Sequence, residues 1–275
     1  MNVFTRYFIS QEHCLRLYDI NHSKAQSLAE KYDCLSFNSV LNAISDVNMV
    51  FLCTPIKETP NIIRDITPYL KNGTILCEIS SLKMRTNVML NESKKHDLLP
   101  LSVHPMFGPD IKKIEGQTLV VIPISDQDEE TDLAKSLFPD TKIVVVDAET
   151  HDSCMASVLA LPYFMNLAFA RVLSPKNMAL MRELAGTTFT VQLAVTQSVV
   201  GESPELIESL INENMFSSNI VNQFIDESKY IRRLLKNNPR EMANFCERLK
   251  KLMMNDIEYI NARKKRNEFF ERLQN

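Results

Sequence analysis

Asn48-Met49-Val50-Phe51-Leu52-Cys53-Thr54-Pro55 is the stretch on which the fold turns. Its apolar side chains follow one another without polar alternation, which suits a parallel strand covered on both faces. Upstream, His22 to Lys31 reads as a helix with Ala25, Leu28 and Ala29 inward. It follows Cys14-Leu15-Arg16-Leu17-Tyr18, an alternating run that reads as a strand ending at Asp19. Val3 to Ser10 is a short amphipathic stretch. Downstream, Asn61 to Leu70 carries Ile62, Ile63, Ile66 and Leu70 at helical spacing, and Lys71-Asn72-Gly73 stops it. Strand-like runs recur at Thr74 to Cys77, Leu98 to Val103, Thr118 to Pro123 and Thr141 to Val146. Helical stretches lie between them, one reaching about Lys95 and one from Glu129 to Phe138. This rhythm predicts an α/β fold, a doubly wound, mostly parallel sheet.

From Ala148 onward no strand-like run of any length recurs, so a boundary near Asp147 divides a sheet domain, 1–147, from an all-helical one, 148–275. The second half offers one long apolar helix from Glu149 to Val172 and several helices between Pro175 and Asn237. A final amphipathic helix starts near Pro239. Helices this apolar need cover on more than one side, and a symmetric dimer would supply it.

The totals narrow the class. A chain of 275 residues with 45% apolar content can bury a large core, and a net charge of -3 provides no overall positive field for nucleic acid or anionic lipid. Small molecules or proteins are the expected partners. Six cysteines never form a close-spaced pair, as expected of buried free thiols in a reducing cytoplasm. The first residues lack the pattern of a signal peptide. The longest uncharged run, Ser153 to Ala170, carries Ser157, Pro162 and Asn166 and reads as a buried helix, not a membrane span. No ligand-like spacing links the five histidines, so no metal site is expected.

Two short polar stretches stand where strands stop, Glu78-Ile79-Ser80-Ser81-Leu82-Lys83 and His104-Pro105-Met106-Phe107-Gly108-Pro109. Chemistry in parallel α/β sheets collects at such ends, so a hydroxyl, an ammonium and an imidazole are expected on one rim. Asp19 also ends a strand. It suits either a ribose-binding carboxylate that disfavours the extra phosphate of NADP or a helix-capping turn.

With Leu52-Cys53-Thr54-Pro55-Ile56, Glu115-Gly116-Gln117 and Glu149-Thr150-His151-Asp152, these strings resemble the prephenate dehydrogenase family of tyrosine biosynthesis, its archaeal-type members in particular. The resemblance covers nearly the whole chain and is strongest from about residue 48 to 152. It implies a Rossmann-like nucleotide-binding domain followed by a helical dimerisation domain, in a cytoplasmic homodimer. The implied reaction is oxidative decarboxylation of prephenate to 4-hydroxyphenylpyruvate, with NAD, in preference to NADP, taking the hydride. His104 would accept the hydroxyl proton, since a neutral imidazole suits that task at cytoplasmic pH. Ser81 would hold His104, the substrate hydroxyl or the nicotinamide. Lys83, Asp110, His151, Asp152 and Gln192 would surround the substrate, and Asp19, Thr54, Pro55 and Ser81 the cofactor. Plainer readings stand beside these: a solvated Lys83 opening a helix, and a capping Asp152.

The sequence also departs from the family. The expected opening strand and Gly-rich turn are missing, the first glycine is Gly73, and Met1 to Ser10 resembles the helix that should follow the turn. Either translation starts upstream or the element has been lost; the first is the expectation. Ala160 stands where many bacterial relatives place a histidine before Leu-Pro, and Val191-Gln192 follows Phe189-Thr190 where many place an arginine. These differences leave prephenate and arogenate both open as substrates, and a non-catalytic ligand-binding dimer as the rival class. β-Hydroxyacid and imine-reducing dehydrogenases share the two-domain plan but place a lysine in the helical half, and the helix from Glu149 to Val172 has none.

Overall fold

The computed structural model describes residues 2–237 and 239–274. Its contacts divide it into two compact units, one running to Met155 and one beginning at Ala156.

The first unit contains, in order, α1 (Asn2–Ser10), β1 (Arg16–Leu17), α2 (His22–Tyr32), β2 (Leu35–Ser36), α3 (Val40–Ile44), β3 (Met49–Leu52) and α4 (Thr59–Ile66). It continues with β4 (Ile75–Glu78), α5 (Met84–Ser93), β5 (Leu99–Pro105), β6 (Thr118–Val121), α6 (Gln127–Leu137), β7 (Lys142–Val145) and α7 (Ala148–Met155). The strands form two ladders, β1-β2 and β3-β4-β5-β6-β7. All neighbours are parallel except β5 and β6, where Val103 faces Val121 and Pro105 faces Leu119 antiparallel. That reversal is invisible in the apolar pattern, because both strands are buried on both faces and neither alternates.

β3 has cover on each side, as its unbroken apolar run requires. Val50 and Leu52 join Ile63, Ile66, Leu76 and Leu90 on one face. Met49 and Phe51 face the other, against α1 and α6. On α1, Val3, Phe4, Tyr7 and Phe8 recur at helical spacing and are all buried. The rings of Phe4 and Phe8 lie 4.9 and 5.3 Å from that of Phe51. Burying an aromatic side chain contributes about 1.5–3 kcal/mol, so this cluster fixes α1 on the sheet. Tyr7 adds a 2.7 Å hydrogen bond to the carbonyl of Leu137. In α2 the small Ala25 and Ala29 face inward and are buried, and Asp33 ends the helix with a left-handed backbone.

The second unit contains α8 (Leu161–Leu173), α9 (Met178–Glu183), α10 (Thr187–Val200), α11 (Pro204–Asn212), α12 (Ser217–Asn237), α13 (Pro239–Met253) and α14 (Tyr259–Gln274). A π-helical turn, Ala156–Ala160, precedes α8. It accommodates Pro162, which lacks an N–H and whose ring would crowd the carbonyl four residues back in a regular helix. α8 packs on α10, and α10 also packs on α14.

Three expectations are corrected here. The last helical stretch is two helices, because Asn255 and Asp256 lie in a turn where the Asp256 carboxylate accepts the N–H of Glu258. The long apolar helix is not buried within the chain: in α8 only Asn166 is fully covered, and Val158, Met165 and Val172 are exposed. By length and composition the helix spanning Ala148–Leu173 could cross a membrane. Finally, the cysteines are free but mostly not buried; Cys77 is, whereas Cys14, Cys154 and Cys246 are exposed.

Candidate active site

The first unit gathers most of the expected residues at the C-terminal ends of its strands, with the Lys83 ammonium turned to the interior. β4 ends at Glu78, whose carboxylate turns back into the protein. Its Oε1 receives the Lys83 ammonium at 2.6 Å and the Ser102 hydroxyl at 2.5 Å, and its Oε2 receives the N–H of Ser80 at 2.7 Å. Lys83 also donates to the carbonyl of Val103 at 2.7 Å, and its side chain is fully buried. Lys83 is therefore neither a solvated charge nor a ready substrate ligand: its ammonium is committed to the interior. Burial lowers its pKa from the ordinary lysine value, and Glu78 opposes that shift.

The neighbouring carbonyl belongs to Val103, so the same lysine braces the strand that presents His104. That imidazole is buried, and its Nδ1 lies 2.9 Å from Nε2 of His151 on α7. His151 Nδ1 lies in turn 2.7 Å from Oδ1 of Asp152. Asp152 also accepts the backbone N–H of Lys83, at 2.9 and 3.0 Å to its two oxygens, and that of Met84 at 2.9 Å. A carboxylate there satisfies orphan N–H groups at the start of α5 and meets the positive end of its dipole. Asp152 is thus a helix cap, acting on a helix 68 residues away in sequence. Asp147 holds the start of α7 by accepting from Thr150 N–H and hydroxyl at 2.9 and 2.6 Å.

His104 Nε2 makes no hydrogen bond among the described residues. Burial, the Lys83 charge and His151 together push the His104 pKa well below 6.5, so the ring is a neutral base at neutral pH. Ser81 is half-buried and forms no hydrogen bond with His104 among the described residues, and the hydroxyl of Ser80 beside it is buried without a partner. Asp110 is exposed in the turn after Gly108-Pro109. That segment is anchored by Arg6 of α1, which donates to the carbonyls of Ile111 and Lys112 at 2.8 and 2.7 Å.

The residues expected around a dinucleotide stand beyond the ends of β1 and β3. Asp19 Oδ1 accepts the N–H of Asn21 at 2.8 Å, a turn just before α2, whose N-cap residue Asn21 makes no side-chain capping bond. Thr54 and Pro55 form the turn into α4: the Thr54 and Thr59 hydroxyls are 2.8 Å apart, and the Pro55 carbonyl accepts from Glu58 and Thr59. In sequence, no glycine precedes Gly73.

Gln192 belongs to the second unit, where its amide is used between helices. Its Nε2 donates to Asn166 Oδ1 at 2.8 Å, Thr196 Oγ1 donates to the same oxygen at 2.6 Å, and Asn166 Nδ2 donates to the carbonyl of Pro162 at 2.9 Å. The expected substrate ligand is, in this geometry, part of a brace between α8 and α10. Glu78, Ser102 and Arg6 went unassigned in the sequence, though each orders the neighbourhood of His104. Of these, only Glu78 left a signal, as the acidic member of its signature string.

Known proteins resemble the chain along most of its length. The family model for the nucleotide-binding domain of prephenate dehydrogenase matches residues 9–147, and that for the dimerization domain of prephenate dehydrogenase matches residues 147–271. A probable arogenate/prephenate dehydrogenase of Methanocaldococcus jannaschii is 24% identical over 211 residues, 74% of this chain and 47% of that protein. The T-protein of Haemophilus influenzae is 26% identical over 208 residues, 74% of this chain and 54% of that one. The chain thus spans about half the length of the curated relatives it matches. Among solved structures, Aquifex aeolicus prephenate dehydrogenase in complex with hydroxyphenyl propionate and NAD+ superposes with a TM-score of 0.75 at 16% identity, covering 93% of this chain and 94% of that one. Synechocystis arogenate dehydrogenase gives 0.68 at 18% identity, covering 91% and 94%. At such identities the structures speak for the fold, a Rossmann-like unit followed by a helical one. With both domain models matched in order, the chain belongs to the prephenate dehydrogenase family.

Proposed function

We propose that this protein oxidatively decarboxylates prephenate to 4-hydroxyphenylpyruvate, with arogenate as the alternative substrate of the same site. The observation that carries the reading is a neutral, buried imidazole, His104, at a strand end, with Nδ1 engaged and Nε2 left for a substrate hydroxyl. A cyclohexadienol that loses hydride from its carbinol carbon must lose the hydroxyl proton too, and a positioned base contributes roughly 10²–10⁴-fold to such a step. Ser81, at the same rim, would orient the hydroxyl or the nicotinamide. NAD, when bound, supplies the hydride acceptor. Asp19 would meet its ribose, Thr54 and Pro55 would border it, and a carboxylate at Asp19 favours NAD over NADP.

The protein would work as a homodimer in the cytoplasm. The exposed apolar side chains Val158, Met165 and Val172 support a second copy covering the helical unit, and the free thiols suit a reducing compartment.

The test is a matrix of prephenate and arogenate against NAD and NADP. It is run on this chain. Reduced NAD formed with prephenate, together with 4-hydroxyphenylpyruvate, is the expected result, and His104→Asn should lower turnover by roughly 10²–10⁴-fold. No turnover of either acid with either cofactor would overturn the enzymatic reading in favour of a ligand-binding dimer. Full turnover in His104→Asn would remove His104 from the chemistry.

A further inference from the structure

We propose that His151 and Asp152 fix the direction of proton movement through His104, and that the proton taken from substrate comes to rest as an imidazolium on His151. This rests on the reading of His104 as the proton acceptor.

The direction follows from one end of the chain of contacts. An ionised carboxylate only accepts hydrogen bonds. Asp152 already receives the backbone N–H groups of Lys83 and Met84, so its 2.7 Å contact with His151 requires a proton on His151 Nδ1. A neutral imidazole with its proton on Nδ1 presents a bare Nε2. The 2.9 Å contact between that Nε2 and His104 Nδ1 then requires the His104 proton on Nδ1. What remains is a lone pair on His104 Nε2, the nitrogen with no partner among the described residues. Asp152 thus dictates, through two rings, that the outer nitrogen is the base.

The same contacts carry the proton onward. The substrate O–H bond breaks, its electron pair stays on oxygen, and an N–H bond forms at His104 Nε2. The Nδ1–H bond of His104 breaks and its proton bonds to Nε2 of His151. His104 ends neutral in its other tautomer, and the positive charge lies on His151 beside the Asp152 carboxylate. The surroundings favour that site. Around His104 the facing charge is the Lys83 ammonium, bonded to the adjacent Val103 carbonyl, while Glu78 of β4 is engaged by Lys83 and Ser102. Around His151 the facing charge is Asp152 of its own helix. A cation is repelled at the first ring and paired at the second.

Two measurements decide the matter. In protein labelled with ¹⁵N-histidine, without substrate at neutral pH, nitrogen shifts should report Nδ1–H and bare Nε2 for both His104 and His151. A proton on Nε2 of either ring would overturn the proposal. This readout requires no turnover, so it separates failure of the relay from failure of the assigned reaction. In the active enzyme, rates in mixtures of light and heavy water should follow a curved dependence, for two protons in flight. His151→Phe should make that dependence linear and lower kcat by roughly 10²-fold, with KM little changed. His151→Gln, whose carbonyl can accept from His104 Nδ1 but cannot carry a proton onward, should restore the His104 tautomer yet keep the linear dependence. Unchanged kcat and curvature in His151→Phe would overturn the relay.

Discussion

The ammonium of Lys83 and the carboxylate of Glu78 meet at 2.6 Å with both side chains wholly removed from solvent. Isolated, either charge would be very costly there. Together, with Ser102, Ser80 N–H and the Val103 carbonyl taking up further valences, they form a strut between the ends of β4 and β5.

Removing one partner leaves the other charge stranded. Lys83→Met should therefore cost about 3–5 kcal/mol in urea unfolding. The double substitution Lys83→Met with Glu78→Gln should cost less than the sum of the singles, since the glutamine oxygen can accept the Ser80 N–H while its amide N–H donates to the Ser102 hydroxyl. An exposed lysine would cost less than about 1 kcal/mol, so a loss that small would contradict the buried pair.

The depressed pKa of His104 sets a pH dependence of known sign. In the unfolded chain the ring titrates near 6.5, and in the fold well below it, through burial and then the neighbouring Lys83 and His151. Below pH 6.5 the unfolded state therefore binds more protons than the native one, and acid costs stability. The slope from this group is at most about 1.4 kcal/mol per pH unit. Denaturation curves between neutral and mildly acid pH should show it, and His104→Gln should reduce it. By the same argument the acid limb of kcat/KM should fall below pH 6.5, because the base stays neutral further into acid than a solvated histidine does. An acid limb above that value would contradict the buried site.

Arg6 ties α1 to the segment after His104 through two carbonyls. Charge-assisted bonds of this kind contribute about 1.5–3 kcal/mol when buried. Arg6 is half-buried, so Arg6→Ala should cost about 1 kcal/mol. The more telling readout is local: faster amide exchange and protease cleavage within residues 106–116, with protection of β5 unchanged. Uniform loosening of the whole sheet would argue against a local clamp.

Much of this architecture was legible from residue order. The helical spacing of Phe4 and Phe8, the paired alanines of α2 and the unbroken apolar run of β3 each name their own element, because the periodicity of burial is a local property. Lys83 shows where that legibility ends. A lysine opening a helix reads as solvated, and only the folded strand ends reveal that Glu78, five residues earlier, turns inward to meet it. His104 and His151 stand 47 residues apart, and no spacing rule connects them. The family strings contained both rings, but their contact requires α7 to return to the end of β5. Asp152 caps a helix distant in sequence and Gln192 meets a residue of a neighbouring helix, so neither contact could be read from local spacing.

Gln192 offers a clean separation of those roles. In the second unit its amide donates to Asn166 Oδ1, the oxygen that also receives the Thr196 hydroxyl, and Asn166 and Thr196 are buried. Asn166→Ala would remove the shared acceptor, leave the Thr196 hydroxyl only its bond to the Gln192 carbonyl and open a space at a buried position, and should cost about 1–3 kcal/mol. Pairing Asn166→Leu with Thr196→Val removes both ends of a buried bond and should cost less than Asn166→Ala alone, since the apolar side chains fill the space and the exposed Gln192 amide can turn to water. Gln192→Leu removes one donor and leaves the Asn166 oxygen its bond from Thr196. It should lower stability by about 1 kcal/mol and leave KM for prephenate unchanged. A raised KM at unchanged stability would instead make Gln192 a substrate ligand and reduce the α8–α10 brace to a secondary use of its amide.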